Sequence, residues 1–231
     1  FHADAQRLSA EAREALARAR ALAGAARPVV RLGSSFLRPC APLLEYLEKK
    51  AGLRERFQLD IVPFTDSPGD FSRLLRRLGA EIDCFVSPCD SAAWLRELSV
   101  TPLGTCRCCV ALPAGHRLAA KSRLTWADLE GESLMLVQRG ISPTLDRLRA
   151  DIARDHPGVK VLDAPGYYDL TVFNRCAEAG YLMECPEIWQ GVHPSLVTLP
   201  VDWDYALPFG IVSAKRPSPA FRQFLEALGE G

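Results

Sequence analysis

The sequence predicts an α/β protein whose parallel sheet is wound by crossover helices, with one further helix standing in front of it. Two observations carry this. From Pro28 onward, strand-like runs alternate with helix-period runs, strand–helix–strand–helix–strand within about 60 residues, a rhythm that crossover connections between parallel strands produce. Ahead of Pro28, Phe1, Ala5, Leu8, Ala12, Ala15, Ala19 and Leu22 follow one another at alternating steps of four and three, which is a heptad seam. Its knobs are mostly alanine, so two such helices approach closely but bury little. The segment therefore reads either as a helix docked on the rest of the chain or as a linker helix pairing with another subunit, and the second is preferred.

The elements follow in order. "VVRLGSS" (29–35) is a strand ending at a glycine turn, and "PCAPLLEYLEKKAG" (39–52) a helix with Leu43, Leu44 and Leu47 on one face, stopped by Gly52. "FQLDIVPF" (57–64) alternates as a strand. The next helix has Asp66 or Ser67 as N-cap and Gly79 as C-cap. "EIDCFVSP" (81–88) is a third strand, and 98–113 a long extended run. A second set begins with the strand "ESLMLV" and the helix "SPTLDRLRADIARD", which has Ser142 as N-cap and Pro143 at its first position. It continues through the strand "KVLDA", the helix "DLTVFNRCAEAG" closed by Gly180, the strand "YLMECP", a short helix "EIWQGV" and the strand "LVTLPVDW". "LPFGIVSAK" is a last strand, and Phe221, Phe224, Leu225 and Leu228 form the buried face of a last helix. The extended stretches near 101–105 and 200–206 are the natural crossings between the two sets.

Composition narrows the function. With 28 Lys and Arg against 28 Asp and Glu, the chain lacks the basic excess of a domain that itself grips nucleic acid. No stretch approaches the roughly 18 uninterrupted apolar residues of a membrane span, and no membrane partner or signal pattern is expected. The eight cysteines, Cys40, Cys84, Cys89, Cys106, Cys108, Cys109, Cys176 and Cys185, read as free buried thiols of a reducing compartment, because the chain is long enough to hold an ample core. Cys106-Arg107-Cys108-Cys109 has no Cys-x-x-Cys partner pair, so neither a metal nor any other cofactor is expected. Cys84 and Cys89 are the best redox candidates.

"LPAGHRLAAKSRLTWADLEGESLML" (112–136) sets His116 beside Arg117, Lys121 and Arg123, with Asp128, Glu130 and Glu132 following. His116 has no partner at helical or strand spacing. Thr125 is placed to cap "WADL", and Gly131 to stop it. The stretch reads as punctuation between elements, with its charges on a solvated face.

The same stretch resembles the strand, Pro-x-x-His turn, short helix and next strand of LysR-type transcriptional regulators. "AEAGYLMECPEIW" is similar to that family's helix, glycine turn and short strand ending in Pro. "LPFGIVSAKRPSPAFRQFLEAL" looks like its final strand, loop and closing helix, and 1–26 like its linker helix. No single motif is specific; the ordered set, spread over nearly the whole chain, is. The resemblance implies two Rossmann-like lobes of periplasmic-binding-protein type II architecture: linker helix 1–27, a first lobe 28–103 completed by 204–231, and a second lobe 104–203. A small organic effector would bind between them, in a cytoplasmic, homodimeric or tetrameric regulator. The family places a winged helix-turn-helix before the linker helix. Nothing here matches it, so DNA is expected as a partner only through a domain absent from this chain.

In open α/β sheets, ligands bind beyond the carboxyl ends of strands, at helix N-termini whose N–H groups favour anions. That rule selects Ser34, Ser35, Phe36, Thr65, Asp66 and Ser87 in the first set, and Arg139, Gly140, Ser142, Tyr167, Tyr168, Asp169 and Glu184 in the second. Ser34 and Ser35 would offer hydroxyls and N–H groups to a carboxylate, or cap a helix. Arg139 would clamp a carboxylate or stand in solvent. Tyr167 and Tyr168 would wall a ring or serve as packing. Asp66, Asp169 and Glu184 are unusual company for an acid-binding cleft: they would bind an amine or hydroxyls, or simply cap helices, and an effector with both a carboxylate and a donor group suits the mixture.

Two other functions compete. A solute receptor of a transport system has the same two-lobe architecture, but needs an export signal and sits poorly with eight cysteines. An enzyme needs a nucleophile, acid or base held by a partner. His2, His116, His156 and His193 all lie off the selected loops, and no Gly-x-Ser-x-Gly, His-Glu-x-x-His or phosphate-binding glycine loop is present. A non-enzymatic, ligand-sensing regulatory domain is the expectation.

Overall fold

The computed structural model describes residues 27–50, 52–164 and 168–229. The heptad-spaced segment 1–26 and Tyr167 lie outside the described residues. The first half of the fold runs β1 (Val29–Ser34), α1 (Ala41–Glu48), α2 (Leu53–Arg56), β2 (Gln58–Pro63), α3 (Pro68–Arg77), β3 (Cys84–Pro88) and α4 (Ala92–Glu97). The long strand β4 (Leu98–Pro113) leads into the second half: α5 (Trp126–Leu129), β5 (Ser133–Val137), α6 (Pro143–Asp155), β6 (Lys160–Ala164), α7 (Leu170–Ala179), β7 (Leu182–Pro186), a 3-10 turn (Glu187–Trp189) and β8 (Leu196–Pro200). Then β9 (Ala206–Ala214) returns to the first half, and α8 (Pro219–Gly229) closes on it.

The strands lie in the order β2-β1-β3-β9-β4-β7-β5-β6, with β8 also on β4. The fold is thus α/β with two lobes sharing β4. Residues 98–107 of that strand pair antiparallel with β9, and residues 108–113 pair with β7 and β8. Within each lobe the parallel pairs are β1 with β2 and β3, and β5 with β6 and β7. The chain therefore steps to one side of β1 and then to the other, and does the same about β5. Each lobe has a topological switch point at its strand ends, where a crevice opens.

The lobes bury separate cores. On one face of the first lobe, α1 and α8 pack Leu43, Leu47, Phe221 and Phe224 over Val30, Leu32 and Ile211. On the other face, Phe71 and Leu74 of α3 meet Phe85 and Trp94. The second lobe's core is built on β4, β5 and β7, with Leu145, Leu148 and Phe173 from its helices. Three first-lobe residues join that second core: Tyr205 and Leu207 at the start of the returning chain, and Leu37, fully buried, in the loop after β1. Gly210 of β9 sits where the two lobes' chains cross. A Cβ there would lie 2.5 Å from the Thr101 carbonyl oxygen, so the strands approach this closely only over a glycine.

The expected helix over 39–52 is shorter, ending at Glu48, and Gly52 with φ of 76° starts the unforeseen α2. The unforeseen α4 ends against the first residue of β4. The third strand begins at Cys84 rather than at 81. Gly79 donates its N–H to the Ile82 carbonyl, closing a turn, and Asp83 receives the Arg31 guanidinium and the Ser218 hydroxyl. The caps agree with expectation: Ser67 on α3, Ser142 on α6, Asp169 on α7, and Gly180 at φ of 73° after α7.

In the stretch 112–136, Thr125 and Asp128 form a capping box on α5. The charges pair among themselves: Arg117 with Glu132 at 2.6 Å and Lys121 with Asp128 at 2.6 Å. Only local spacing had left His116 alone. The fold brings its Nε2 to 3.4 Å from the Glu132 carboxylate.

All eight cysteines are free and buried. Burial, with Asp83 beside it, raises the Cys84 thiol well above its ordinary range, and burial near Asp90 pushes Cys89 up to about 11. Neither environment produces a thiolate at neutral pH. Among the described residues no helix is long and apolar enough to cross a membrane.

Candidate functional site

The two switch points face each other across a cavity of about 90 Å³. The ends of β3, β5 and β7 and the loop after β1 all reach it. From the first lobe come Ser87, Asp90, Trp94 and Arg38; from the second come Ser142, Tyr168, Glu184 and Trp189. The volume is below the usual range for drug-sized ligands, so this is a shut cleft with room for a molecule of few heavy atoms.

Two contacts hold it shut. The Ser142 hydroxyl donates to the Asp90 carboxylate at 2.6 Å, and the Thr144 N–H donates to the same oxygen at 3.1 Å. The first lobe thereby places a carboxylate at the N-terminus of α6, where an anion is stabilised by unpaired N–H groups and the helix dipole. On the other wall, the Trp189 indole N–H donates to the Leu37 carbonyl at 2.6 Å. The Leu37 side chain is buried in the second lobe's core, a burial of order 1.5–3 kcal/mol.

The loop after β1 is shaped from within. Asp66 accepts from the Ser35 hydroxyl at 2.8 Å, the Leu37 N–H at 3.1 Å and the Arg38 guanidinium at 2.5 Å. The Ser34 hydroxyl accepts from the Cys40 N–H. The Arg38 guanidinium lies 3.9 Å from the centre of the Phe71 ring, a cation–π contact that adds to its ion pair.

Glu184 is the opposite case. Its residue is wholly buried, and among the described residues neither carboxylate oxygen accepts from an N–H or O–H; the Cys108 thiol, a weak donor, is what reaches it. Burial pushes its carboxyl up to about 8; the weakly donating Cys108 thiol relieves this slightly, and the Asp90 charge adds to it. At neutral pH the group is mostly the neutral acid. The Tyr168 hydroxyl is also buried, with the Val137 backbone near it among the described residues, and burial near Glu184 raises it well above the ordinary phenol range.

The sequence-selected residues thus divide. Ser87, Ser142, Tyr168 and Glu184 meet at the cavity. Ser34, Ser35 and Asp66 are engaged in the loop after β1. Phe36, 71% exposed, stands with Thr65, Asp66 and Asp169 along a separate apolar groove of about 380 Å³. In that groove Thr65 donates to Asp70, and Asp169 caps α7 through the Thr171 and Val172 N–H groups. Gly140 gives its N–H to Asp146, and Arg139 is exposed and outside the cavity lining. Sequence reasoning passed over Arg38, Asp90, Trp94 and Trp189. Asp90 lies two residues beyond Ser87-Pro88, so the strand-end rule carried slightly further would have reached it.

None of the three described histidines lines the cavity. His116 faces Glu132, His156 stacks on Trp126 with centroids 3.9 Å apart, and His193 meets Asn174. Among the described residues no group of three or more His, Cys, Asp or Glu is placed to hold a metal ion.

The family model of the LysR substrate binding domain matches residues 64–231. Solved structures with the same fold include the effector-binding domain of QuiR in complex with shikimate (17% identity, TM-score 0.58, covering 89% of this chain and 98% of that one). They also include CbnR, a LysR family transcriptional regulator (15% identity, TM-score 0.59, 98% and 78%). A third is the oxidized form of OxyR (18% identity, TM-score 0.53, 88% and 93%). A comparison with curated proteins gave no match.

Proposed function

Because the chain belongs to the LysR substrate-binding-domain family, we propose that it is the effector-sensing, non-catalytic domain of a cytoplasmic transcription regulator. A small molecule between the lobes would set its state. The lobes would be those read from the sequence, 28–103 with 204–231 and 104–203, preceded by a linker helix within 1–27. The observation that carries the reading is the closed cavity at the meeting of both switch points, held by contacts that cross from lobe to lobe. A molecule that binds there shifts the balance of open and closed lobes by the difference in its affinity for the two. Of the residues selected in sequence, Ser87, Ser142, Tyr168 and Glu184 form the ligand site in this proposal. DNA would be reached through a helix-turn-helix domain outside this chain, and a homodimer or tetramer would carry the signal.

Trp94 and Trp189 both line the cavity, so bound effector is readable in the chain's own fluorescence. In a screen of small metabolites, at least one compound is expected to shift the emission saturably, and Trp189→Phe is expected to reduce that shift. Compounds that bind but leave both tryptophans undisturbed would place the ligand elsewhere and end the reading.

A further inference from the structure

The cavity's chemistry runs against an acidic ligand. Two features of it ordinarily attract a carboxylate: a buried guanidinium and the N-terminus of an eight-residue or longer helix. Both already hold a carboxylate of the chain itself. Arg38 is paired with Asp66 at 2.5 Å, and the start of α6 is occupied by Asp90 through Ser142 and Thr144. An incoming anion would have to displace one of them. What remains on offer is Glu184, wholly buried, lining the cavity, with no N–H or O–H donating to either oxygen among the described residues. A buried acid in that condition costs stability and calls for an explanation, of which a bound ion is one.

Resting on the effector reading above, we propose that the cavity receives a small organic cation, a primary ammonium, with Glu184 as its counter-ion. The Tyr168 hydroxyl, buried at the same cavity with only the Val137 backbone near it among the described residues, supplies a further acceptor. Trp94 and Trp189 line the remaining wall. They suit a short alkyl body, and aromatic rings of this kind attract cations. The cavity of about 90 Å³ limits the ligand to a few heavy atoms unless the lobes part.

Binding such a cation requires the ionised form of Glu184, so the proposal makes affinity depend on pH in a definite direction. The thiols and the phenol around Glu184 do not titrate in the same range. The thiols of Cys106, Cys108 and Cys109 on β4 and of Cys185 on β7 are raised to about 11 or beyond, and the Tyr168 phenol is raised as well. Asp90 faces it as a carboxylate hydrogen-bonded at α6. An alkylammonium stays protonated through neutral pH, as lysine does.

The test uses the whole chain and three molecules of one size: propylammonium, propionate and propionamide. Binding is followed by the indole resonances of Trp94 and Trp189. Propylammonium is expected to move both saturably, with affinity improving about tenfold per pH unit from 6 toward 8 and levelling above it, the slope of one required deprotonation. Glu184→Gln should weaken propylammonium at least tenfold at pH 8 and leave propionamide within about twofold. Tighter binding of propionate than of propylammonium overturns the cation proposal while leaving the effector cavity in place. So does a propylammonium affinity that is flat with pH in the unaltered chain. Should none of the three, nor any compound of the fluorescence screen, disturb the two indoles, both proposals fall.

Discussion

Asp66 and Glu184 are both buried acids beside the junction of the lobes, and their company differs completely. Asp66 accepts three hydrogen bonds, one of them from a guanidinium, and with them fixes the loop that carries Leu37 into the other lobe. Glu184 accepts none from an N–H or O–H within the described residues, and has only the weak Cys108 thiol beside it. The first is an acid whose charge the native structure uses. The second is one whose charge burial suppresses. Position at a strand end marks both alike; only the accounting of hydrogen bonds separates a carboxylate that builds the site from one that awaits a ligand.

The largest effect should come from breaking the satisfied acid. Asp66→Ala strips the Arg38 guanidinium, whose side chain is 6% exposed, of its charged partner and releases the Ser35 and Leu37 donors. Removing one member of a buried pair costs about 3–5 kcal/mol. Urea unfolding should show a loss of that size, and hydrogen exchange should rise through residues 34–40. A loss under 1 kcal/mol would mean that the loop is held by Leu37 burial alone.

The unsatisfied acid should answer with the opposite sign. Its folded-state carboxyl titrates near 8, against about 4.3 in an unfolded chain. Between those values the native state keeps a proton that the unfolded state has lost, so stability falls as pH rises. At pH 7 this amounts to about 4 kcal/mol relative to acid, at about 1.4 kcal/mol per unit. Glu184→Gln removes the titration. The variant should gain on the unaltered chain progressively from pH 5 to 8, and differ little from it near pH 4.5. Parallel stability–pH curves for the two proteins would show that Glu184 is solvated after all.

How much of this was legible in the sequence follows the range of each contact. The strand–helix rhythm, the Ser142 cap and the Gly180 stop are written in neighbouring residues, and they stand in the fold as read. Helix α4 was missed because its six residues carry no side-chain cap hydrogen bond and run straight into a strand. The site divided in the same way. Ser87, Ser142, Tyr168 and Glu184 were reachable because the strand-end rule needs only topology. Arg38 and Trp189 were not, since one is recruited by an aspartate 28 residues on and the other by a carbonyl 152 residues away. No local pattern encodes such pairs. Nor could periodicity tell that Asp66 would be spoken for and Glu184 left alone, because that depends on which side chains the two lobes bring to each.

The smallest effect is expected at Ser142, which meets a third acid, Asp90, across the cleft. Its hydroxyl accepts from the Leu145 N–H at 3.2 Å as the cap of α6, and donates to Asp90 at 2.6 Å across the cleft. Ser142→Ala should cost about 1 kcal/mol for the cap. Among the described residues, loss of the hydroxyl also leaves Asp90 with the Thr144 N–H as its hydrogen-bond donor. A double-mutant cycle with Asp90→Asn separates the parts: the cap is local to α6 and adds, whereas the contact between lobes appears as a coupling of at least 0.5 kcal/mol. Coupling of that size with an unchanged α6 means that Asp90 holds the lobes together as Asp66 holds its loop. Strict additivity would make Asp90 a surface acid that happens to lie near a helix end, and would reopen the start of α6 as a place for an anion.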